Sequence, residues 1–180
     1  MYQSCLMALV VGVSLGMAAP PAVGILTSAQ SLTLDRSKVI GTATLLEGSR
    51  IETGTAPAQL QLTDGGRIEI GAESKGVVYR DRLVLERGSG RFENYVVEAF
   101  LLKIRPDGPG ASAEIAVRNC SLAGPGTLRV AAFNGPVRIT SPDGALVSNL
   151  PAGRTLDFVT GDPGSAAGCA LAVAVSPSTR

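Results

Sequence analysis

From about Val39 to Phe158 the sequence breaks into short runs in which apolar and polar residues alternate, each ended by Gly, Asp-Gly or Asn-Gly. No other feature constrains the fold as much. Arg67-Ile68-Glu69-Ile70 and Gln59-Leu60-Gln61-Leu62 alternate strictly, Val137-Arg138-Ile139 does the same, and Arg82-Leu83-Val84-Leu85 does so in part. A period of two buries one face of a strand and leaves the other in water. Helical periodicity is nowhere sustained, and the glycines fall where tight turns need a positive φ. Turns are expected at Glu47-Gly48, Asp64-Gly65-Gly66, Arg87-Gly88-Ser89-Gly90, Asn134-Gly135, Asp143-Gly144 and Ala152-Gly153, with a longer loop at Pro106-Asp107-Gly108-Pro109-Gly110. The expected fold is all-β: short antiparallel strands in stacked sheets or a solenoid-like β-sandwich, forming a single domain after an N-terminal signal helix.

A local repeat lies within this pattern. Glu47-Gly48-Ser49-Arg50-Ile51-Glu52-Thr53-Gly54 is echoed by Asp64-Gly65-Gly66-Arg67-Ile68-Glu69-Ile70-Gly71, offset by 17 positions. Weaker echoes run through Arg87-Gly88 to Phe92 and through Asn134-Gly135 to Ile139. Repetition on this scale suits stacked hairpins or a short solenoid-like arrangement.

Ahead of the β region, Cys5 to Ala19 form an uncharged apolar run of 15 residues followed by Pro20 and Pro21. This has the length of a secretory h-region, although the preceding residues carry no Lys or Arg. Cleavage is expected after Ala19, Ala22 or Ala29; continuation through Ile25 and Leu26 would instead make a membrane anchor. The expected organisation is a signal segment over 1–29, a β domain over 38–160, and a linker with an apolar tail over 161–180. Once the signal is removed, Cys120 and Cys169 are the two remaining thiols. An even pair in an oxidising compartment is a candidate disulfide, which would tie the run from Ala170 to Val175 beside the strand at Glu114-Ile115-Ala116-Val117. Two buried reduced cysteines are the alternative.

Composition narrows the chemistry. The chain is 45% apolar and 17% charged, so it is expected to fold. Its 16 basic and 15 acidic residues give a net charge of +1, without the positive footprint of a nucleic-acid binder. Trp is absent and aromatic residues make up 4%, which leaves few stacking platforms. There is no His, so Ser-His-Asp triads, Cys-His pairs and His-ligated zinc are excluded. Carboxylate and Lys chemistries survive that filter. Asp64, Asp107, Asp143 and Asp162 stand singly in turns beside Gly or Pro, not in an Asp-rich calcium loop. No metal or other cofactor is expected.

Ile40-Gly41, then Leu46-Glu47-Gly48-Ser49-Arg50-Ile51-Glu52-Thr53-Gly54, Ala58-Gln59-Leu60-Gln61-Leu62-Thr63-Asp64-Gly65, and Ile68-Glu69-Ile70-Gly71 with Ser74 together resemble the FecR-type domain. The likeness covers Lys38 to Arg91 well, and Gly126 to Phe158 more loosely through Gly135, Val137 and Gly153. Its motifs are structural glycines and strand alternation, so no catalytic residues carry over. In the family's iron-signalling regulators such a domain sits in the periplasm and relays a receptor's state to a sigma factor. Here only four residues precede the apolar run, and little sequence follows Phe158. The resemblance therefore implies a stand-alone exported FecR-like protein of the periplasm or cell surface.

One charged set stands out. Arg50, Glu52, Arg67 and Glu69 are expected on one exposed face, because Ile51, Ile68 and Ile70 take the alternate positions. They read either as cross-strand ion pairs that keep the face soluble or as a polar interaction surface. The expected function is a non-catalytic binding or scaffolding module of the bacterial cell envelope. Its expected partner is another envelope protein or an envelope polysaccharide, with no nucleic acid, and with membrane contact only if the N-terminal segment is retained. The alternative is a carboxylate-dependent enzyme acting on envelope glycans.

Overall fold

A computed structural model describes residues 20–119, 126–160 and 174–177, and all regular structure in them is strand. The strands are β1 (Ala22–Leu34), β2 (Ser37–Leu46), β3 (Ser49–Glu52), β4 (Ala58–Leu62), β5 (Arg67–Ile70), β6 (Lys75–Val78), β7 (Arg82–Glu93), β8 (Val96–Ala99), β9 (Leu102–Pro106), β10 (Ser112–Arg118), β11 (Gly126–Ala132), β12 (Val137–Thr140), β13 (Leu146–Leu150), β14 (Thr155–Thr160) and β15 (Ala174–Pro177). The runs that alternate in sequence, at Gln59, Arg67, Arg82, Glu114 and Val137, all lie in strands.

Two long strands organise the rest. β1 pairs with β2 at both ends, from Ala22 to Ser28 and from Leu32 to Leu34, with β4 along its N-terminal half and with β3 at Thr33 and Leu34. β7 pairs with β6 and β8 over its first half and with β5 and β10 over its second. Because β3 also pairs with β6 and β4 with β5, the strands β1-β4-β5-β7-β6-β3 close an antiparallel ring. Beyond β7 the network continues as β8-β9-β12-β13 from one half and β10-β11-β14-β15 from the other. These are stacked sheets around a barrel-like core, and one buried apolar cluster runs through both parts, from Leu26, Ile51 and Phe92 to Ile115, Leu128 and Ile139.

The repeat has a structural counterpart. β3 and β5, which carry Arg-Ile-Glu in the two copies, occupy opposite positions of the ring. The glycines that open them, Gly48 and Gly65, have φ of 82° and 89°, and both Ile51 and Ile68 are buried. Repetition thus closes a ring here instead of extending a solenoid, because β1 and β7 cap the two repeats from either side.

The domain also starts earlier than the patterning predicts. Val23, Leu26, Leu32 and Leu34 of β1 are core residues, so the β fold begins at Ala22 and not at Lys38. A boundary at residue 29 falls inside a strand paired on both sides. β1 turns into β2 through Asp35 and Arg36, with φ of 49° and 70°, the positive pair that a tight hairpin turn requires. Asp35 also accepts bonds from the Arg50 amide (2.8 Å) and the Ser49 hydroxyl (2.9 Å), locking the start of β3 to this turn. Asp35→Ala is expected to cost about 1–2 kcal/mol, because the buried Ser49 hydroxyl loses its acceptor; the shift of the urea unfolding midpoint measures it.

The expected turn at Arg87-Gly88-Ser89-Gly90 is instead a bend within β7. Val96 lies beside Arg82 in a parallel ladder, although twelve residues of straight strand would carry the chain roughly 40 Å away. The strand must curl, and it does so where Gly88 packs on Ser74. The other expected turns are realised between strands.

Of the expected signal segment, residues 1–19 lie outside the described residues, as do Cys120, Cys169 and the linker from Gly161 onward. The tail strand β15 pairs with β14, two strands away from β10, and not beside the strand at Glu114. No helix among the described residues is long and apolar enough to cross a membrane.

Candidate functional site

The four charged residues expected on one face are divided by the ring. On β3, Arg50 and Glu52 look outward beside β6 and β7, where Arg50 and Lys75 pair with Glu86 at 3.5 and 3.6 Å and Arg87 pairs with Glu52 at 2.7 Å. The same side continues through Arg82 and Lys103, both on Glu98, at 3.1 and 3.8 Å. Arg50 and Glu52 thus join a network of cross-strand ion pairs whose other members, Lys75, Glu86 and Arg87, lie outside the expected set of four. Arg67 and Glu69, on β5, look out from the opposite side of the ring. The prediction of one shared face fails because alternation fixes which side of a strand is wet, while ring closure fixes where that strand stands.

The β5 side is built differently. Its outward residues form two rows across the strands: Thr27, Gln59, Glu69, Arg91 and Glu114 in one, Ile25, Gln61, Arg67 and Glu93 in the other. The intervening Leu26, Leu60, Ile68 and Phe92 are buried beneath them. Arg67 stands directly across from Glu93, and Glu69 from Arg91, yet none of the four joins an ion pair within 4 Å among the described residues. The Arg91 guanidinium lies over the Phe133 ring at 4.8 Å, which aims it along the sheet.

Between the rows is a cavity of ≈ 470 Å³. Glu69 and Arg91 also line a neighbouring cavity of ≈ 240 Å³, whose Ser89 lines a third of ≈ 510 Å³ reaching Arg129 and Asp157. Through the shared Glu69, Arg91 and Ser89 the three adjoin as one shallow groove over β1, β4, β5, β7, β10, β11 and β14. At its far end Arg129 holds Asp157 through two bonds, at 2.8 and 3.1 Å.

A separate cavity of ≈ 610 Å³ lies over Asp64, Arg105 and Tyr95. The Tyr95 hydroxyl donates to the Tyr79 carbonyl, and burial, with Asp64, Asp81 and Glu47 nearby, pushes the phenol well above its ordinary value. The folded state thus holds this proton more tightly than the unfolded chain does. The stability this gives is complete below the unfolded value of about 10 and is lost as pH rises toward the folded value. Urea midpoints are expected to fall between pH 8 and pH 11, and to fall less in Tyr95→Phe; an equal fall in both would remove Tyr95 as the cause.

Patterning placed Arg67 and Glu69 on a wet face but missed their companions Arg91, Glu93, Glu114 and Arg129. The signal was present in Arg91-Phe92-Glu93 and Glu114-Ile115-Ala116, which alternate like the others. The fold and this groove define an all-β protein with a polar, strand-crossing surface site. No protein-family model and no curated protein matches the chain.

Proposed function

We propose that this protein is a non-catalytic binding module of the bacterial cell envelope, exported to the periplasm or cell surface, and that it holds its partner in the groove over β4, β5 and β7. The observation that carries this reading is the set Arg67, Glu69, Arg91 and Glu93, alternating in sign around one surface cavity and satisfied by no ion pair within the described residues. The opposite face of the same ring pairs its charges internally. The apolar N-terminal run supports export, and the resemblance of the residues from Ile40 to Ser74 to the FecR-type domain supports an envelope setting.

Site-specific photocrosslinking in the native envelope tests it. A photoreactive residue at Gln61, in the groove, is expected to capture a partner that one at Arg50, on the ion-paired face, does not. Combined Arg67→Ala and Arg91→Ala substitution is expected to reduce capture by about tenfold without lowering the unfolding temperature. Equal capture at both positions would overturn the assignment.

A second reading, carboxylate chemistry on envelope glycans, has one observation in its favour. Glu69 and Glu93 are diagonal neighbours across β5 and β7, close enough on one face for their carboxylates to flank a single glycosidic bond. Release of reducing ends from a glycan, lost in Glu69→Gln, would establish that reading over the binding module.

A further inference from the structure

We infer that the groove takes a linear, uncharged, polyhydroxylated polymer, a neutral glycan chain laid across the strands; this rests on the binding-module reading and specifies its ligand. The groove's direction is the first reason. It runs across interior strands whose backbone groups are already paired on both sides, so an extended peptide finds no sheet edge there to join. A polymer bound along it must be read by side chains alone.

The second reason is what those side chains offer. Thr27, Gln59, Glu69, Arg91 and Glu114 present one polar group per strand, at intervals of about 4.8 Å. Amide, carboxylate and guanidinium groups in succession supply donors and acceptors in pairs, which suits vicinal hydroxyls, each both donor and acceptor. Ile25 is 50% exposed at one end, beside Gln61, and can take the C–H face of a sugar ring. Leu60, Ile68 and Phe92 line the first cavity below the polar rows and Val117 and Val159 line the third, leaving apolar surface for the C–H faces of further sugar rings.

Charge supplies the third reason. Four arginines (Arg67, Arg91, Arg118 and Arg129) and four carboxylates (Glu69, Glu93, Glu114 and Asp157) line the three cavities, so their charges cancel. A polyanion would meet a carboxylate beside Arg67, Arg91 and Arg129, and a polycation would meet an arginine beside each carboxylate. A neutral chain meets hydrogen-bonding groups with no net field to oppose it.

Affinity electrophoresis of the full chain in native gels tests this, with hydroxyethylcellulose or a soluble linear β-1,3-glucan as neutral probe and alginate as anionic probe. Retardation by a neutral probe is expected, with the apparent dissociation constant raised about tenfold in Gln59→Ala and in Arg91→Ala and unchanged in Lys38→Gln on β2. Retardation by alginate alone would overturn the ligand class, as would retardation by neither probe together with capture of a protein from Gln61 in the crosslinking experiment, which would leave the binding-module reading standing. Neutral-probe retardation that Gln59→Ala and Arg91→Ala leave untouched would overturn the groove as the site. Both substitutions are at half- or fully exposed positions, and unchanged thermal unfolding confirms that the loss is one of binding.

Discussion

A chain shortened to begin at Gln30 is expected not to fold, whereas one beginning at Pro20 should give a cooperative unfolding transition. The residues removed supply the N-terminal half of β1, which is laddered to β2 from Ala22 to Ser28 and to β4 from Gly24 to Ser28. Val23 and Leu26 leave the core with them, each worth about 1.5–3 kcal/mol when fully buried. The ring also opens, so β4 becomes an edge and Leu60 and Leu62 lose their cover. Together these losses approach the whole of a typical domain's stability, about 5–15 kcal/mol. Far-ultraviolet circular dichroism with thermal unfolding decides it, and a matching transition in the shorter chain would show that the N-terminal half of β1 is dispensable. For the expected signal cleavage, processing after Ala19 leaves the strand whole, and processing after Ala22 removes its first residue. Processing after Ala29 would remove its N-terminal half, with Val23 and Leu26.

Gly88→Ala is expected to destabilise the protein by about 2–5 kcal/mol, far more than a surface glycine would. Two effects add. Gly88 has φ +94°, a conformation that costs an L-residue about 1–2 kcal/mol. A Cβ there would also stand 2.5 Å from the Ser74 Cα and 2.1 Å from its hydroxyl oxygen. Ser74 cannot step aside: it is fully buried, and its hydroxyl accepts from the Ser89 amide at 2.9 Å. Relieving the clash means separating β7 from the loop before β6, with a strain cost of about 1–3 kcal/mol. Gly108→Ala separates the two effects, because Gly108 has φ +109° but open space around its Cβ. Its loss should be confined to about 1–2 kcal/mol from the backbone. Equal urea midpoints for the two variants would show that the Ser74 contact does not hold the bend.

The glycine run around Gly88 shows how far local sequence reaches. Arg87-Gly88-Ser89-Gly90 looks like a turn because glycines tolerate positive φ, and Gly88 does adopt it. Whether such a residue reverses the chain or bends a strand depends on what packs against it. Here Ser74 packs against Gly88, and β10 pairs with β7 from Gly88 to Glu93. Neither partner is near in sequence. The N-terminus offers the converse case. Ala22 to Leu34 follows directly on an apolar run, and its own apolar residues extend that run as naturally as they form a strand, so composition alone cannot divide the two.

In the strands whose residues alternate, the side that faces the core was determined by the sequence itself. Ile51, Leu60, Ile68, Ile70, Leu83 and Ile139 sit where period two assigns them, and all are buried. That information is local, since a strand's side chains alternate whatever it pairs with. The groove was decided by tertiary structure alone. Four-residue strands such as β3 and β5 share nearly the same Arg-Ile-Glu pattern and could take many of the same neighbours. Closure of the ring through β1 and β7 sent one set of charges to Glu86 and Arg87 and the other to Gln59, Arg91 and Glu93. Pairing partners are set by the free energy of the whole closed core, to which no single run of residues has access.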